Sequence, residues 1–228
     1  MFRRLKVHFA KVQMDVGNRE MMDAVKQFDR LLGSVVVNPH HLAESIRWLD
    51  VASRDPQIVH VTVNPQSTYE RYGSPGWMQL FAEIAARRLP VFYNTGGQDV
   101  YRRSPAATEQ GHLLKVRGAA PDEVDMFQRV SREFPDLVLI LGHGHGLEGL
   151  ALARNCRNIY LDLCSSYPEQ DVYGRAVEAL GADRVVFGTD MELFSPAFVL
   201  GSLWEAGLDD RQQRCILHDN ACRILQLP

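Results

Sequence analysis

The sequence predicts a parallel α/β fold of the (β/α) barrel kind, and two observations carry that prediction. First, six short apolar runs each end in a polar side chain, and a stretch of helical periodicity follows most of them. They are Val35-Val36-Val37-Asn38, Val61-Thr62-Val63-Asn64, Val91-Phe92-Tyr93-Asn94, Leu137-Val138-Leu139-Ile140-Leu141-Gly142-His143, Ile159-Tyr160-Leu161-Asp162 and Val185-Val186-Phe187-Gly188-Thr189-Asp190. Such runs, rich in β-branched residues and without alternation, suit strands buried on both faces, as parallel strands covered by helices are. Second, polar residues stand at the C-terminal ends of nearly all of these strands. That suits a barrel, in which every strand points at one site. No GxGxxG follows the first strand to favour an open nucleotide-binding sheet.

Residues 5–12 carry Leu5, Val7, Phe9 and Val12, roughly alternating, and read as a strand. Asn18 then starts a helix with Met21, Met22, Val25 and Phe28 on one face. Strand 35–37 ends at Asn38-Pro39, and Leu42, Ile46 and Leu49 give residues 40–51 a helical period. Strand 58–63 ends at Asn64-Pro65, repeating the strand-Asn-Pro pattern 26 residues on, as successive βα units do. A turn at 73–76 precedes a helix over 77–88, and strand 90–94 follows. Residues 97–121 form a long irregular stretch after a strand end, which reads as a lid over the site. A helix from Pro121 to Phe134, strand 137–142, helix 148–154, strand 158–163, helix 171–180 and strand 184–188 complete the alternation. Ser195-Pro196 is an N-cap and N1 pair for the next helix, and Leu208-Asp209-Asp210 opens the last one, through Ile216, Ala221 and Leu225. About seven strands result, in a single domain over 1–228.

Bulk properties narrow the partners. At 46% apolar and 23% charged residues the composition is ordinary for a globular chain. A formal net charge of -3 gives no electrostatic case for nucleic acid. No stretch approaches the ~20 apolar residues that span a bilayer, so no membrane partner is expected. Met1-Phe2-Arg3-Arg4 leads into alternating residues, not the apolar core of a secretory leader. Cys156, Cys164, Cys215 and Cys222 show no CxxC spacing and read as reduced thiols in the cytoplasm.

Several motifs, in order, carry a resemblance. They are Arg30-Leu31-Leu32-Gly33 leading into Val35-Val36-Val37-Asn38-Pro39; Leu89-Pro90-Val91 leading to Thr95-Gly96; Phe134-Pro135-Asp136-Leu137-Val138-Leu139 running into Gly142-His143; Asn158-Ile159-Tyr160-Leu161-Asp162; Gly181-Ala182-Asp183-Arg184-Val185-Val186-Phe187-Gly188-Thr189-Asp190; and the closing helix around Asn220-Ala221. Over residues 18–225 the chain resembles the amidohydrolase-related branch of the amidohydrolase superfamily. These are TIM barrels that include metal-dependent hydrolases and decarboxylases related to aminocarboxymuconate semialdehyde decarboxylase. The resemblance implies a metal, held in that family by an HxH pair on the first strand, a His on the fifth and an Asp on the eighth, with a sixth-strand His that is catalytic or a further ligand. Carried over, Asp190 is the eighth-strand Asp and His143 the sixth-strand His. The fifth-strand position holds Asn94, and the fourth-strand position reads Thr62-Val63-Asn64-Pro65. The first strand and its HxH have no counterpart, so the barrel is incomplete; residues 5–12 align with the second strand, with His8 mid-strand.

The implied site is therefore eroded. A catalytic zinc usually has three protein ligands plus water, whereas here Asp190 and His143 make two. The expected cofactor is a divalent metal, zinc by its ligand chemistry, bound weakly or not at all by the isolated chain. Asp190 can serve as ligand or general base, or cap its own turn. His143 can serve as general acid or base, since imidazole titrates near neutrality. His145, in Gly142-His143-Gly144-His145-Gly146, looks like a displaced HxH that could contact substrate. Asn94 and Asn64 can hydrogen-bond a polar substrate, although Asn38 and Asn64, each before Pro, also suit backbone capping. His40-His41 read as surface, and His112 lies in the presumed lid.

Three functions stay open. One is a hydrolase or decarboxylase of small polar molecules. Another is a non-catalytic homologue that binds a ligand or a partner subunit. The third is a split barrel completed by another chain, because an open barrel leaves strand edges that a homo-oligomer or a partner would cover.

Overall fold

The computed structural model describes residues 2–64, 68, 70–95, 99–103, 113–117, 121–144, 147–164, 171–191 and 195–227. Eight strands appear among them: β1 (Gly33–Val37), β2 (Ile58–Val63), β3 (Val91–Asn94), β4 (Asp99–Arg103), β5 (Leu113–Arg117), β6 (Leu139–Gly142), β7 (Ile159–Asp162) and β8 (Val185–Val186). Six of them form one sheet in the order β1-β2-β3-β6-β7-β8, with every pairing parallel. The helices are α1 (Phe2–Gln27), α2 (Leu42–Ala52), α3 (Pro75–Ala86), α4 (Pro121–Glu133), α5 (Leu147–Asn155), α6 (Val172–Leu180), α7 (Pro196–Glu205), α8 (Asp210–Arg214) and α9 (Asn220–Ile224). A π-turn at Cys215–Asp219 joins the last two. Sheet neighbours run in chain order, as successive βα units require. No helix among the described residues is long and apolar enough to cross a membrane.

Three expectations need correction. Residues 5–12 are not a strand: they lie within α1, so His8 is on a helix and the sheet has six strands. Three alternating apolar residues fit either period, and no Pro interrupts the chain before residue 27. The stretch 97–121 is not wholly irregular, since β4 and β5 pair as an antiparallel ribbon with Asp99 opposite Arg117. Nor are β1, β2 and β3 buried on both faces, as β6 is. Val35, Val37, Val61, Val63, Tyr93, Leu139, Leu161 and Val185 are buried under helices, but Ser34, Val36, His60, Thr62, Phe92 and Asn94 on the other face are half-buried. A complete barrel closes eight strands around that face. Among the described residues β1 and β8 do not pair with each other, and a small cluster of Ile140, Val186 and Ile224 lies on that face.

Helix α1 guards the β1 edge. Asn18, buried mid-helix and not at a helix start, donates Nδ2–H to Val36 O at 2.9 Å and accepts Val36 N–H on Oδ1 at 2.7 Å. Its amide takes the two backbone groups that a further strand would pair with. Close approach depends on Gly33, where a Cβ would lie 2.2 Å from Met21 Sδ. Asn18→Ala leaves both Val36 groups without partners and is expected to lower unfolding stability by about 2–4 kcal/mol. Urea denaturation measures this, and an unchanged midpoint would remove Asn18 from the account.

Much of the most specific sequence block turns out to be structural. The Arg184 guanidinium donates to the carbonyls of Ala153, Cys156 and Ile159, tying the end of α5 to β7. Asn220 Nδ2 reaches Ala182 O at 2.8 Å and Val185 O at 2.7 Å, pinning α9 to β8. Asn38 is a cap: its Oδ1 accepts His40 N–H at 2.9 Å. Asp209 and Gln212 form a capping box at the start of α8.

Candidate active site

Sheet order brings the ends of β6, β7 and β8 side by side, and each carries a functional group. His143 directly follows β6, Asp162 ends β7, and Asp190 lies just past β8. His143 and Asp190 both have left-handed backbone, with φ of 56° and 50°. Non-glycine residues there are uncommon and concentrate at functional sites.

A hydrogen bond orients His143. Its Nδ1 lies 2.9 Å from Cys164 O, and a carbonyl only accepts, so the neutral ring carries its proton on Nδ1. The lone pair is then on Nε2, free to take a proton or bind a cation. Cys164 in turn donates its N–H to Asp162 Oδ1 at 2.8 Å, and Gly144 N–H donates to Asp162 O at 3.1 Å. Asp162 and His143 are thus fixed to one another through a single residue.

Burial pushes the Asp162 carboxyl up to about 6, opposed by the Cys164 N–H and by His143, while Asp190 adds to the rise. A carboxyl tuned toward neutrality suits proton transfer. The space for it comes from Gly188, where a Cβ would sit 2.5 Å from Asp162 Oδ2. Burial also holds the Cys164 thiol well above its ordinary range, so it stays protonated. Asp190 Oδ2 is buried without a hydrogen-bond partner among the described residues. A carboxylate oxygen in that state is costly unless something occupies it.

The other predicted residues are placed unevenly. Asn94 ends β3 in register with Gly142, which is in register with Asp162, so both polar groups share one level across a residue without a side chain. Asn64 follows β2 directly and is half-buried. His145 and His112 lie outside the described residues. His40 pairs with Glu70 at 3.1 Å and packs edge-on against His41. Among the described residues no group of three His, Cys, Asp or Glu side chains gathers to hold a metal. His143 Nε2 and the orphaned Asp190 oxygen fit two ligand positions, and the set falls short of a closed site.

Sequence reasoning missed His60 and gave no role to Asp162, one of its polar strand ends. Asp162 had a usable signal: it ends the strand between those of His143 and Asp190. His60 had none, because a lone His mid-strand reads as core. Its ring contacts Phe92 at 6.0 Å, and its buried Nδ1 has no partner. It lines a cavity of about 360 Å³ with Thr62, Phe92, Ile140 and Asp162. Burial lowers the His60 imidazole to about 4, from 6.5. The unfolded chain therefore binds more protons between pH 6.5 and 4, and stability is retained above pH 6.5 and lost as pH falls toward 4. The loss is on the order of 2–3 kcal/mol. His60→Gln is expected to flatten that slope in denaturant titrations at stepped pH; an unchanged slope would assign it to other groups.

The profile of the Amidohydrolase family matches residues 6–227. The chain belongs to the amidohydrolase family. No curated protein matches it. Solved structures share its fold. Among them is a TIM-barrel protein from Bordetella bronchiseptica, at 20% identity and TM-score 0.71, covering 92% of this chain and 72% of that one. Another is 2,6-dihydroxybenzoate decarboxylase from Rhizobium, at 17% identity and TM-score 0.71, covering 94% and 77%. A third is a dihydroxybenzoic acid decarboxylase from Polaromonas sp. JS666 with bound manganese and 2-nitroresorcinol, at 15% identity and TM-score 0.68, covering 94% and 75%. Among the described residues this family member has six strands in one parallel sheet, and its candidate site stands at the strand ends, where barrel enzymes act.

Proposed function

We propose that this member of the amidohydrolase family is a hydrolase or decarboxylase-like enzyme for a small polar molecule, working at the ends of β6, β7 and β8 with a reduced metal site. The observation that carries the reading is a buried Asp190 oxygen without a partner among the described residues, two strands along the sheet from a His143 whose Nδ1 is fixed by Cys164 O. Asp190 and His143 would hold a divalent cation, which supplies charge stabilisation and an acidified water when bound. The sequence favours zinc; the manganese of the Polaromonas decarboxylase and the oxygen donors here also suit manganese. Asp162 and His143 would hold and move the proton, and Asn94 and Asn64 would bind the substrate's polar groups. His145 belongs to the same proposed set.

The test is a panel of small aromatic carboxylates and amides, with and without manganese or zinc, followed by carbon dioxide release and product analysis. The reading expects turnover that His143→Asn abolishes in a folded protein. Turnover that survives His143→Asn would remove the site from this role.

One observation favours a second reading, a non-catalytic or partner-completed homologue: no described third ligand joins His143 and Asp190. That reading expects no turnover with any metal. A partner or second copy covering the sheet between β1 and β8 would then appear as a larger species in solution.

A further inference from the structure

The face of the sheet turned away from the main helix-side core holds a second feature, set back from the strand ends. Thr62 stands opposite Phe92 and Phe92 opposite Ile140; two residues further on, Gly142 stands opposite Asp162 and Asp162 opposite Val186. Alternate residues of a strand share a face, so His60, Thr62, Phe92, Ile140 and Val186 all lie on this one. Helix α9 roofs part of it. Ile224 packs on Ile140 and Val186, and the two bonds from Asn220 to Ala182 O and Val185 O hold the helix in place. Between this roof and the sheet lies the cavity of about 360 Å³, completed by Phe187, Ala221 and Leu225.

The wall is mainly apolar, with three polar side chains. Two of those already have partners: Thr62 Oγ1 lies 2.5 Å from Ser34 Oγ, and Asp162 Oδ1 accepts Cys164 N–H at 2.8 Å. The third is His60, whose Nδ1 is buried without a partner among the described residues. A buried polar group in that state calls for an explanation, and a ligand that pairs with the imidazole is one. The ring is neutral at neutral pH because burial disfavours its charged form, and no Lys or Arg lines the cavity. An anionic ligand would therefore lose its hydration without gaining a counter-charge. A hydroxyl both donates and accepts, so it suits either tautomer of the imidazole. Size sets the rest: an apolar cavity of about 150 Å³ takes one benzene ring, so this one has room for two fused rings.

We propose that this cavity is a binding site for a small neutral two-ring molecule with a single hydroxyl, its rings against Phe92, Ile140 and Ile224 and its hydroxyl on the His60 imidazole. The site does not rest on the activity proposed for the strand ends and needs no metal.

The probes are 1-indanol, indane as the same rings without the hydroxyl, and indane-1-carboxylate as the anion. Each is titrated into the full chain at neutral pH, with affinity read from the protein's NMR shifts and from the thermal midpoint. 1-Indanol is expected to bind saturably and about three- to tenfold tighter than indane, as one net hydrogen bond gives. The carboxylate should bind at least about tenfold more weakly than 1-indanol. His60→Phe keeps a flat ring and removes the polar partner, so it should bring 1-indanol and indane to equal affinity. Ala221→Leu fills space from the roof and should weaken both by at least about tenfold. His143→Asn should change neither, which separates this site from the strand-end chemistry. Lack of saturable 1-indanol binding, or binding that Ala221→Leu leaves intact, would overturn the site. An indanol-to-indane ratio that His60→Phe does not change would overturn the hydroxyl contact, and a tighter carboxylate would overturn the neutral ligand. Loss of binding in His143→Asn would overturn the separation of the two sites.

Discussion

Asp190→Asn is expected to lower turnover by about 10²–10⁴-fold while the protein keeps its stability. Both halves follow from one geometry. The carboxylate that the proposed chemistry needs has a buried oxygen without a partner, on a residue with φ of 50°. Asn tolerates the left-handed region at least as well and keeps the shape of the side chain, so the substitution brings no backbone strain. Turnover and thermal midpoint, measured on the same preparations, check the pair. A variant that loses stability in step with activity would mean that Asp190 is structural.

Trp77→Ala is expected to be the most damaging single change to the fold, at about 3–5 kcal/mol. Trp77 is fully buried on α3, stacked on Phe81 at 5.8 Å and tilted against Tyr93 at 6.0 Å. Tyr93 meets Phe127 of α4 edge-on at 4.5 Å, so one side chain supports the contact of two helices with β3. Since domains hold only ~5–15 kcal/mol in total, such a loss takes a large part of it and should release Asn94 at the end of β3. Equilibrium denaturation gives the number; a cost below about 1 kcal/mol would mean that the helix layer is not the main core.

The helix-side core was legible because its strands are runs of Val, Ile and Leu whose polar ends mark their direction. The runs could not say whether the second face is covered. That depends on how many strands close the sheet, a non-local property, and Ser34, Thr62 and Asn94 are half-buried because closure is missing. Residues 5–12 were misread because Leu5, Val7 and Phe9 satisfy two periods at once. The β4–β5 ribbon was hidden because Asp99–Arg103 and Leu113–Arg117 lack a short turn pair between them. At the site, His143 and Asp190 came through family motifs. Asp162 needed sheet order to become meaningful, and His60 needed burial.

The central claim is that a reduced metal site survives at His143 and Asp190, and metal titration of the purified chain tests it most directly. Thermal midpoint and bound metal are measured over rising manganese and zinc, for the wild type and Asp190→Asn. The account predicts weak binding, with a dissociation constant on the order of 10–100 μM, that stabilises the wild type and is lost in the variant. Stabilisation unchanged in Asp190→Asn, or none in the wild type at millimolar metal, would contradict it.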